Sequence, residues 1–398
     1  GLVIGYQHAG GSVNAKSWLN WFEIFFKRKL DLQGLSQLNF RLRDTVRRSY
    51  NFSLTNAANA MLVWDVTDPL KPQKIKINQN GSGISFFDSC NIQNEYIVFD
   101  PTKSNAATVI GKISNQNLHQ TKSSDDIIIC DQSMIAQANR LKDYHQQRDG
   151  MSSMVVDIDQ IYNEFSSGSP DPTALRNFIK MLYDRSASTP ALRPKYLTLF
   201  GSASYVIKEK GSKKNSMVPS YQTNQSLDPL LSYVTDDYFG LLDDKDDINN
   251  AKNIPLLDVG IGRIPVRNLE QARRAVDKII GYNSLAALGP WRNNITLVAD
   301  DEDYNLHLDD AEAHAGLMKI EAPQFHLNKI YMDAFQQESN AGGSRYPEVN
   351  KEVLQDINDG TLIWNYSGHG NNTRLAYEVV LDKDLLGQWK NENVFLFL

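Results

Sequence analysis

From Asp125 onward, short apolar runs alternate with longer segments in which apolar residues recur every three or four positions. The short runs have the length and the branched side chains of buried strands, and the longer segments have the period of amphipathic helices. Five runs follow the strand pattern: 126–130, 196–200, 294–299, 361–364 and 394–398. Repeated strand–helix units form a parallel sheet that is covered by helices on both faces. We therefore predict an α/β fold of this kind over residues 121–398.

Local signals mark the ends of three predicted helices. Asp171 followed by Pro172 forms an N-cap and a first-turn proline, and Asn268 with Gln271 forms a capping box. Gly360 follows the last apolar position of the third helix, as is typical of a helix C-terminus. These signals place each helix after one of the predicted strands.

The first part of the sequence has a period of two instead. Residues 37–43 alternate leucine or phenylalanine with polar side chains, which is the pattern of a half-buried strand. Residues 18–26 are rich in aromatic residues, which also favour strands. Frequent turn signals between short runs predict a β-rich, sandwich-like region over residues 1–120. The polar segment 113–124 has no period and is predicted to be the linker.

Charge and cysteine content exclude several classes of protein. The formal net charge is -6 and no long basic run occurs, so nucleic acid is not expected as a partner. Only Cys90 and Cys130 occur, far apart and in unlike surroundings, which argues against a disulfide framework and a cysteine-rich zinc site. No run of about 18 apolar residues predicts a membrane-spanning helix.

The carboxyl ends of the predicted strands are the expected place for a ligand, because parallel sheets bind ligands at that edge. Three candidates follow from this rule: Gly201 with Ser202, Asp300 with Asp301, and the segment 367–370. The last contains His369 between two glycines, whose small size can let a substrate backbone come close. Histidine suits proton transfer near neutral pH. The alternative is a turn histidine that is hydrogen-bonded only to solvent.

Five separated motifs give the sequence a family resemblance. They are IYNEFSSG at 161–168, TDDYFG at 235–240, GIGRIP at 260–265, VADD at 298–301 and NYSGHG at 365–370. In this order they resemble the gingipain-like C25 cysteine peptidases, and within them most of all the sortase branch of the type IX secretion system. WLNWFE at 18–23 and VWDVTDP at 63–69 are similar to the β-rich region that precedes the catalytic domain in that family. The resemblance implies a caspase-like fold.

The resemblance also implies roles for particular residues. The family uses a Cys-His dyad, in which a thiolate attacks a peptide carbonyl and backbone N–H groups hold the oxyanion. His369 matches the dyad histidine, and Gly370 matches the residue whose N–H helps to hold the oxyanion. Asp236 matches the acidic residue that binds a basic P1 side chain. The alternative for Asp236 is a solvated turn residue in an acidic region.

The sequence departs from the family pattern in two places. Ser202, Ala203 and Val206 stand where relatives have acidic residues, which puts a carboxylate role at that strand end in doubt. The strand 394–398 resembles the one that leads into the nucleophile, so the nucleophilic cysteine is expected beyond Leu398. Neither Cys90 nor Cys130 is a convincing substitute, and residues 1–398 alone are expected to be inactive.

Calcium is a possible cofactor, since gingipain relatives bind it, and no other cofactor is expected. Two acidic runs, 243–247 and 300–303, contain the oxygen ligands that calcium prefers. Neither run has EF-hand spacing, and solvated loops are the favoured interpretation. No residue is therefore assigned to a metal.

The function implied by the resemblance is that of a sortase at the extracellular face of the outer membrane. Such an enzyme removes the C-terminal sorting domain of cargo proteins and transfers them to an amine on anionic lipopolysaccharide. Its other expected partners are outer-membrane components of the type IX secretion system. Two alternatives remain: a secreted gingipain-like endopeptidase that only hydrolyses, and a catalytically silent assembly module of the secretion machinery.

Overall fold

The chain divides into two compact units, Gly1–Ile113 and Ser114–Leu398. The computed structural model describes residues 3–7, 19, 21–44, 46–58, 60–90, 93–109, 111–204, 217–225, 231–250, 255–340, 343–390 and 396–397. None of the helices in these ranges combines the length and the apolar character that crossing a bilayer requires.

The first unit is antiparallel. Its described residues form seven strands: β1 (Gln37–Arg43), β2 (Arg48–Leu54), β3 (Leu62–Asp65), β4 (Gln73–Ile75), β5 (Asn78–Asn80), β6 (Gly83–Cys90) and β7 (Gln93–Phe99). They make two sheets, in the orders β1-β7-β3-β4 and β2-β6-β5. Phe52 and Phe86 from one sheet pack with Tyr96 and Val98 from the other in a shared apolar core. The prediction of a β-rich, sandwich-like first region is confirmed.

The predicted strand at 18–26 is wrong for the residues that the structure describes. Residues 21–26 are in no strand, and the side chains of Trp21 and Phe25 are 70% and 71% exposed. A strand requires a neighbour that accepts its backbone hydrogen bonds, and the aromatic content of a segment does not supply one. Residues 18 and 20 lie outside the described ranges.

The second unit alternates strands and helices. Its described strands are β8 (Asp126–Cys130), β9 (Ser153–Asp157), β10 (Tyr196–Phe200), β11 (Tyr221–Gln222), β12 (Val234–Thr235), β13 (Gly260–Ile264), β14 (Asn294–Ala299), β15 (His326–Tyr331), β16 (Glu338–Asn340), β17 (Gly343–Arg345), β18 (Ile363–Ser367), β19 (Arg374–Leu375), β20 (Leu381–Asp382) and β21 (Leu396–Phe397). The helices are α1 (Ile135–Asp149), α2 (Ile158–Phe165), α3 (Pro172–Arg185), α4 (Leu269–Tyr282), α5 (Leu306–Glu321) and α6 (Pro347–Asp359).

The parallel strands form two sheets where the sequence pattern predicted one. The first has the order β13-β10-β8-β9 and the second has the order β15-β14-β18-β21. Each pairing in the two sheets is parallel. Periodicity identifies strands but does not say which strands share a ladder, so the division into two sheets was not visible in the sequence.

Helices cover both faces of both sheets. In the first sheet, the core under α2 and α3 includes Ile129 and Phe178, whereas the core under α1 and α4 includes Ile128 and Val276. In the second sheet, α6 packs on the face that bears Trp364, and α5 packs on the opposite face. The predicted α/β class with covered parallel strands is confirmed.

The predicted helix signals have the expected geometry. Asp171 Oδ1 accepts a hydrogen bond from Thr173 N at 2.8 Å, and Asn268 Oδ1 accepts one from Gln271 N at 2.9 Å. Gly360 follows α6 with φ = 90°, a conformation that favours glycine. Helix ends are therefore set by the residues next to them in the chain.

Residues 114–120, which the sequence pattern placed in the first region, belong to the second unit. Glu164 on α2 accepts hydrogen bonds from Leu118 N at 2.7 Å, His119 N at 3.1 Å and Gln116 Nε2 at 2.8 Å. Burial alone would raise the pKa of Glu164, but these donors together lower it to about 2. Part of the predicted linker 113–124 is thus fastened to α2.

Candidate active site

Two of the three predicted strand ends meet at one edge of the second sheet. β14 and β18 are neighbours, with Ala299 opposite Ser367, and Asp300 N donates to Ser367 O at 3.0 Å. Asp300 and the segment 367–370 therefore lie side by side. Gly201 and Ser202 follow β10 and belong to the first sheet instead.

Gly368 allows a close approach within the chain. A Cβ added to Gly368 would lie 2.5 Å from Asp300 Cβ and 2.6 Å from Tyr366 Cζ, which no side chain tolerates. The contact lets His369 N donate to Asp300 Oδ2 at 3.1 Å, and Tyr366 Oη donates to His369 O at 2.7 Å. Gly368 thus serves the backbone around His369, in addition to any role toward a substrate. Gly370 forms an isolated bridge with Leu375, and its role as an oxyanion donor stays a prediction.

The side chain of His369 has a carboxylate partner. Its Nε2 lies 2.6 Å from Asp303 Oδ2, and the two side chains are 64% and 50% exposed. The hydrogen bond between them, with their mutual charge attraction, raises the pKa of His369 and lowers that of Asp303. His307 from α5 lies edge-on to His369 with ring centroids 5.3 Å apart. The geometry favours a histidine prepared for proton transfer over one bonded only to solvent.

The sequence pattern did not single out Asp303 as this partner. Asp303 appeared only within the acidic run 300–303 as a possible calcium ligand. It lies in a turn between β14 and α5 in which Asp303, Tyr304 and Asn305 all have positive φ. The available signal was its place just after β14, at the same edge as the end of β18.

Neither cysteine of the chain is in a nucleophile's surroundings. Cys130 ends β8 in the first sheet and is fully buried, and burial raises its pKa to about 12. Cys90 belongs to the first unit, where its Sγ lies 3.4 Å from Leu42 O. A buried thiol with a raised pKa is inert at neutral pH.

Asp236 is engaged inside the chain. Its Oδ1 accepts from Ser220 Oγ at 2.8 Å and from Arg263 Nη2 at 2.7 Å, and its Oδ2 accepts from Arg263 Nε at 2.7 Å. The guanidinium of Arg263 also donates to three backbone carbonyls, those of Gly201, Val218 and Pro219. The role of Asp236 toward a basic P1 side chain stays a prediction, and this geometry favours a structural role instead.

The segment after β10, where the sequence departs from the family pattern, carries no carboxylate in its described part. Ser202 is buried, and its Oγ has no hydrogen-bond partner in the described ranges. Val206 lies outside those ranges. Residues 201–204, the part of this segment that the structure describes, therefore bring no acidic side chain to the edge that holds His369.

Among the residues that the structure describes, two groups of side chains could hold a metal ion. Asp303, His307 and His369 offer nitrogen and oxygen atoms within 4.8 Å of one another, a donor set that suits Zn²⁺. Asp300, Asp301 and Glu378 offer only carboxylate oxygens, which suit hard cations. In the acidic run 243–247, by contrast, most side chains are exposed, as in a solvated loop.

Residues 119–398 match the model of peptidase family C25. No curated protein matches the chain.

Solved structures share the fold. Dimeric latent PorU from Porphyromonas gingivalis has a TM-score of 0.56 and 24% sequence identity, over 86% of this chain and 29% of that chain. The Arg-specific cysteine proteinase gingipain R (RgpB) of the same organism has a TM-score of 0.50 and 16% identity, over 70% of this chain and 54% of that chain. The chain thus spans less than a third of PorU and about half of gingipain R.

Proposed function

This chain belongs to peptidase family C25, and we propose that His369 is the general base of a cysteine peptidase that works as a sortase. In this proposal the enzyme cleaves the C-terminal sorting domain from a cargo protein and joins the new carboxyl end to an amine on anionic lipopolysaccharide. The observation that carries the proposal is the pair of His369 and Asp303 at the carboxyl end of β18, with Nε2 2.6 Å from Oδ2.

The pair leaves one ring nitrogen of His369 for proton transfer. When Asp303 accepts the Nε2 proton, Nδ1 carries the lone pair, and Nδ1 has no hydrogen bond to any residue that the structure describes. A thiol beside Nδ1 gives up its proton there, and the thiolate attacks the peptide carbonyl. The proton then passes to the departing amine, while Asp303 stabilises the intervening imidazolium.

We place the nucleophile after β21. That strand pairs in parallel with β18, so the residues after it would emerge at the same edge as His369. Cys90 and Cys130 are both buried. The proposal therefore requires a cysteine that follows Leu398 in the whole protein, and residues 1–398 by themselves are expected to lack peptidase activity.

The acyl-enzyme ends in hydrolysis or in transfer, according to the nucleophile that reaches it. The order of the five motifs supports the sortase branch and hence transfer. The PorU match covers a larger share of the chain than the second unit contains, so it includes residues of the first unit as well. Simple hydrolysis is the alternative, and gingipain R, a cysteine proteinase by description, shares the fold.

The remaining parts of the proposal concern surroundings and partners. The substrates would be cargo proteins with C-terminal sorting domains, and the partners would be outer-membrane components of the type IX secretion system. The site of action would be the extracellular face of the outer membrane. These parts rest on the resemblance of the motifs.

The test compares residues 1–398 with a version extended through the next strand and loop of the whole protein. Each is incubated with a cargo protein that carries a sorting domain, with and without an amine acceptor. We expect cleavage by the extended version only, and a cargo–amine product by mass spectrometry when the acceptor is present. Cleavage without incorporation of the amine would support the hydrolytic endopeptidase instead.

Substitutions in the extended version test the base. His369→Gln should lower the rate of labelling by a thiol-directed peptide inhibitor by at least about 1,000-fold. His326→Gln, at an exposed histidine where β15 begins, is the matched control and should leave labelling unchanged. Absence of both cleavage and labelling would support the silent assembly module. Labelling of Cys90 or Cys130 that disappears in His369→Gln would show that the nucleophile is misplaced.

A further inference from the structure

Residues 21–26 of the first unit, which we call the aromatic segment, expose a run of large apolar side chains. Trp21 and Phe25 are 70% and 71% exposed, and Phe22, Ile24 and Phe26 are exposed as well. The aromatic segment is in no strand or helix. Single exposed apolar residues are ordinary, but a contiguous run of them marks a surface that contacts a partner or a membrane.

Positive charges lie beside the aromatic segment. Residues 27–29, which follow it directly, are Lys, Arg and Lys, and all three are exposed. Arg41 and Arg43 occupy exposed positions on β1. The guanidinium of Arg41 lies over the ring of Phe25, 5.0 Å from its centroid, in a cation–π contact. The basic residues are therefore neighbours of the aromatic segment in space as well as in sequence.

A cleft of about 780 Å³ separates the end of the aromatic segment from β1, an edge strand of its sheet. Phe40 and Phe52 line the apolar part of the cleft, with ring centroids 5.8 Å apart. None of the described residues that line it is Asp or Glu. Its charged side chains are all cationic: Lys27, Arg28, Arg41 and Arg43. The cleft therefore suits a molecule that is apolar at one end and negatively charged at the other.

The first unit is positively charged although the chain as a whole is not. Residues 1–113 contain 13 Lys and Arg against 8 Asp and Glu, whereas the formal net charge of the chain is -6. Seven of the 13 lie in residues 27–48. In that stretch the ion pairs between described residues are Arg41 with Glu95 at 4.0 Å and Arg48 with Asp44 at 3.8 Å. Most of the positive charge around the cleft is therefore uncompensated and attracts anions.

We propose that the aromatic segment and the basic residues around the cleft bind the surface of an anionic membrane. The aromatic side chains enter the boundary between headgroups and acyl chains, and Lys27, Arg28 and Arg43 contact lipid phosphates. Aromatic residues are enriched at membrane–water interfaces, and clusters of Lys and Arg are attracted to anionic lipids.

The apolar lining favours lipid over single-stranded nucleic acid. Bases stack on aromatic faces, but the cleft is also lined by the aliphatic side chains of Ile24 and Leu30. Acyl chains pack against aliphatic and aromatic side chains alike. The proposal concerns the first unit alone and does not depend on the sortase reaction.

The experiment measures sedimentation of residues 1–398 with lipid vesicles. One set of vesicles is phosphatidylcholine alone, and the other also contains the anionic lipid phosphatidylglycerol. We expect tighter binding to the anionic vesicles, and high salt should remove the difference because it screens exposed charges. Inorganic phosphate at the same ionic strength should not displace the protein, since a free anion makes no contact with the aromatic segment.

Fluorescence quenching tests whether the aromatic segment enters the membrane. Lipids with brominated acyl chains should quench tryptophan emission of the bound protein. Trp21→Phe should reduce this quenching and keep the binding. Trp64→Phe, on β3 and in edge-on contact with Phe99, is the control and should leave the quenching unchanged.

Charge variants separate this surface from the general charge of the first unit. Replacing all three residues of 27–29 with Gln should weaken binding to the anionic vesicles by roughly 100-fold. The matched control replaces three exposed lysines of the same unit, so it removes the same charge elsewhere, and should change binding far less: Lys71→Gln, Lys74→Gln and Lys76→Gln.

Aromatic variants test the apolar part of the contact. Trp21→Ser combined with Phe25→Ser should weaken binding by at least about tenfold, because less apolar surface enters the membrane. Phe87→Ser, at a position on β6 that is 69% exposed, is the matched control and should keep full binding. The Tm of each variant shows that it is folded, since all the replaced side chains are exposed.

Four outcomes would overturn the proposal. The first is equal binding, or none, to the neutral and the anionic vesicles at low salt. The second is an equal loss in the two triple variants, which would show that only net charge matters. The third is displacement from the vesicles by inorganic phosphate or by a single-stranded oligonucleotide. The fourth is a dimer of the chain that Trp21→Ser with Phe25→Ser dissociates without weakening vesicle binding, because a second copy would then cover this surface.

Discussion

At the scale of residues, His369 and Asp303 shift each other's pKa in opposite directions, although both side chains are exposed. The hydrogen bond to Asp303 raises the pKa of His369 above 6.5, and the same bond lowers the pKa of Asp303 below 3.8. The stabilisation from His369 is complete below pH 6.5 and is lost as pH rises through its raised pKa. The stabilisation from Asp303 is present above pH 3.8 and is lost as pH falls through the lowered pKa of Asp303. The pair is therefore strongest in weak acid.

We expect Asp303→Asn to lower the pKa of His369, because the neutral amide no longer attracts the imidazolium. The pKa is measured by NMR titration of the histidine Cε1–H signals, with His369→Gln to assign the resonance. Asp310→Asn removes the same charge at an exposed position on α5 and is the control. An equal fall of the His369 pKa in Asp303→Asn and Asp310→Asn would show that general charge, not the hydrogen bond, sets it.

At the scale of elements, the pair of Asp236 and Arg263 ties β13 to the segment after β12 and to the end of β10. The two side chains are 23% and 14% exposed and meet through two hydrogen bonds of 2.7 Å. Removing Asp236 leaves a largely buried guanidinium without its carboxylate. An internal pair of this kind contributes to stability whatever the substrate is.

We predict that Asp236→Asn lowers the free energy of unfolding by up to roughly 3 kcal/mol. This value is at the lower end of what breaking a buried ion pair costs, because Asp236 is partly exposed. Chemical denaturation of the full chain measures it. Asp237→Asn, at the exposed neighbouring position, should change the free energy little. The same substitution can be made in an active extended version. If that variant keeps full stability but loses activity only on substrates with Lys or Arg at P1, Asp236 binds the P1 side chain and is not structural.

At the scale of the whole molecule, the boundary between the two units falls before the segment that binds Glu164. Leu118 is buried, and the ring of His119 stacks on Phe165 with centroids 4.6 Å apart. The segment therefore contributes to the stability of the second unit. A boundary at 120/121 would cut through these contacts.

We expect a chain of residues 114–398 to be more stable than one of residues 121–398 by roughly 2–3 kcal/mol, because the latter loses the donors to Glu164. Thermal and denaturant unfolding measure the difference. The folded pKa of Glu164 is about 2 against an ordinary 4.5, so the advantage should be complete above pH 4.5 and vanish as pH falls toward 2. Glu164→Gln in residues 114–398 should remove the pH-dependent part of the advantage. Equal stability of the two chains at neutral pH would contradict the assignment of residues 114–120.

Local sequence patterns were sufficient to predict the main strands and helices of the second unit and to identify the family. The strands Asp126–Cys130, Tyr196–Phe200 and Asn294–Ala299 have the predicted bounds, and Asp171 caps α3 as its sequence indicates. Such features depend on residues within a few positions of one another, so the sequence records them directly. The order of motifs around His369 determined the family in the same way, since it needs no knowledge of contacts.

Only the tertiary structure decided which distant residues meet. Contacts between segments far apart in sequence separate the parallel strands into two sheets. They also give His369 its partner, 66 positions earlier in the chain, and give Asp236 its internal partner. Glu378 carried no signal at all until the turn after β19 placed it against Asp300 and Asp301. The physical reason is that periodicity and capping act over one or two turns of chain, whereas charge pairing and sheet order are chosen by the packing of the folded molecule as a whole.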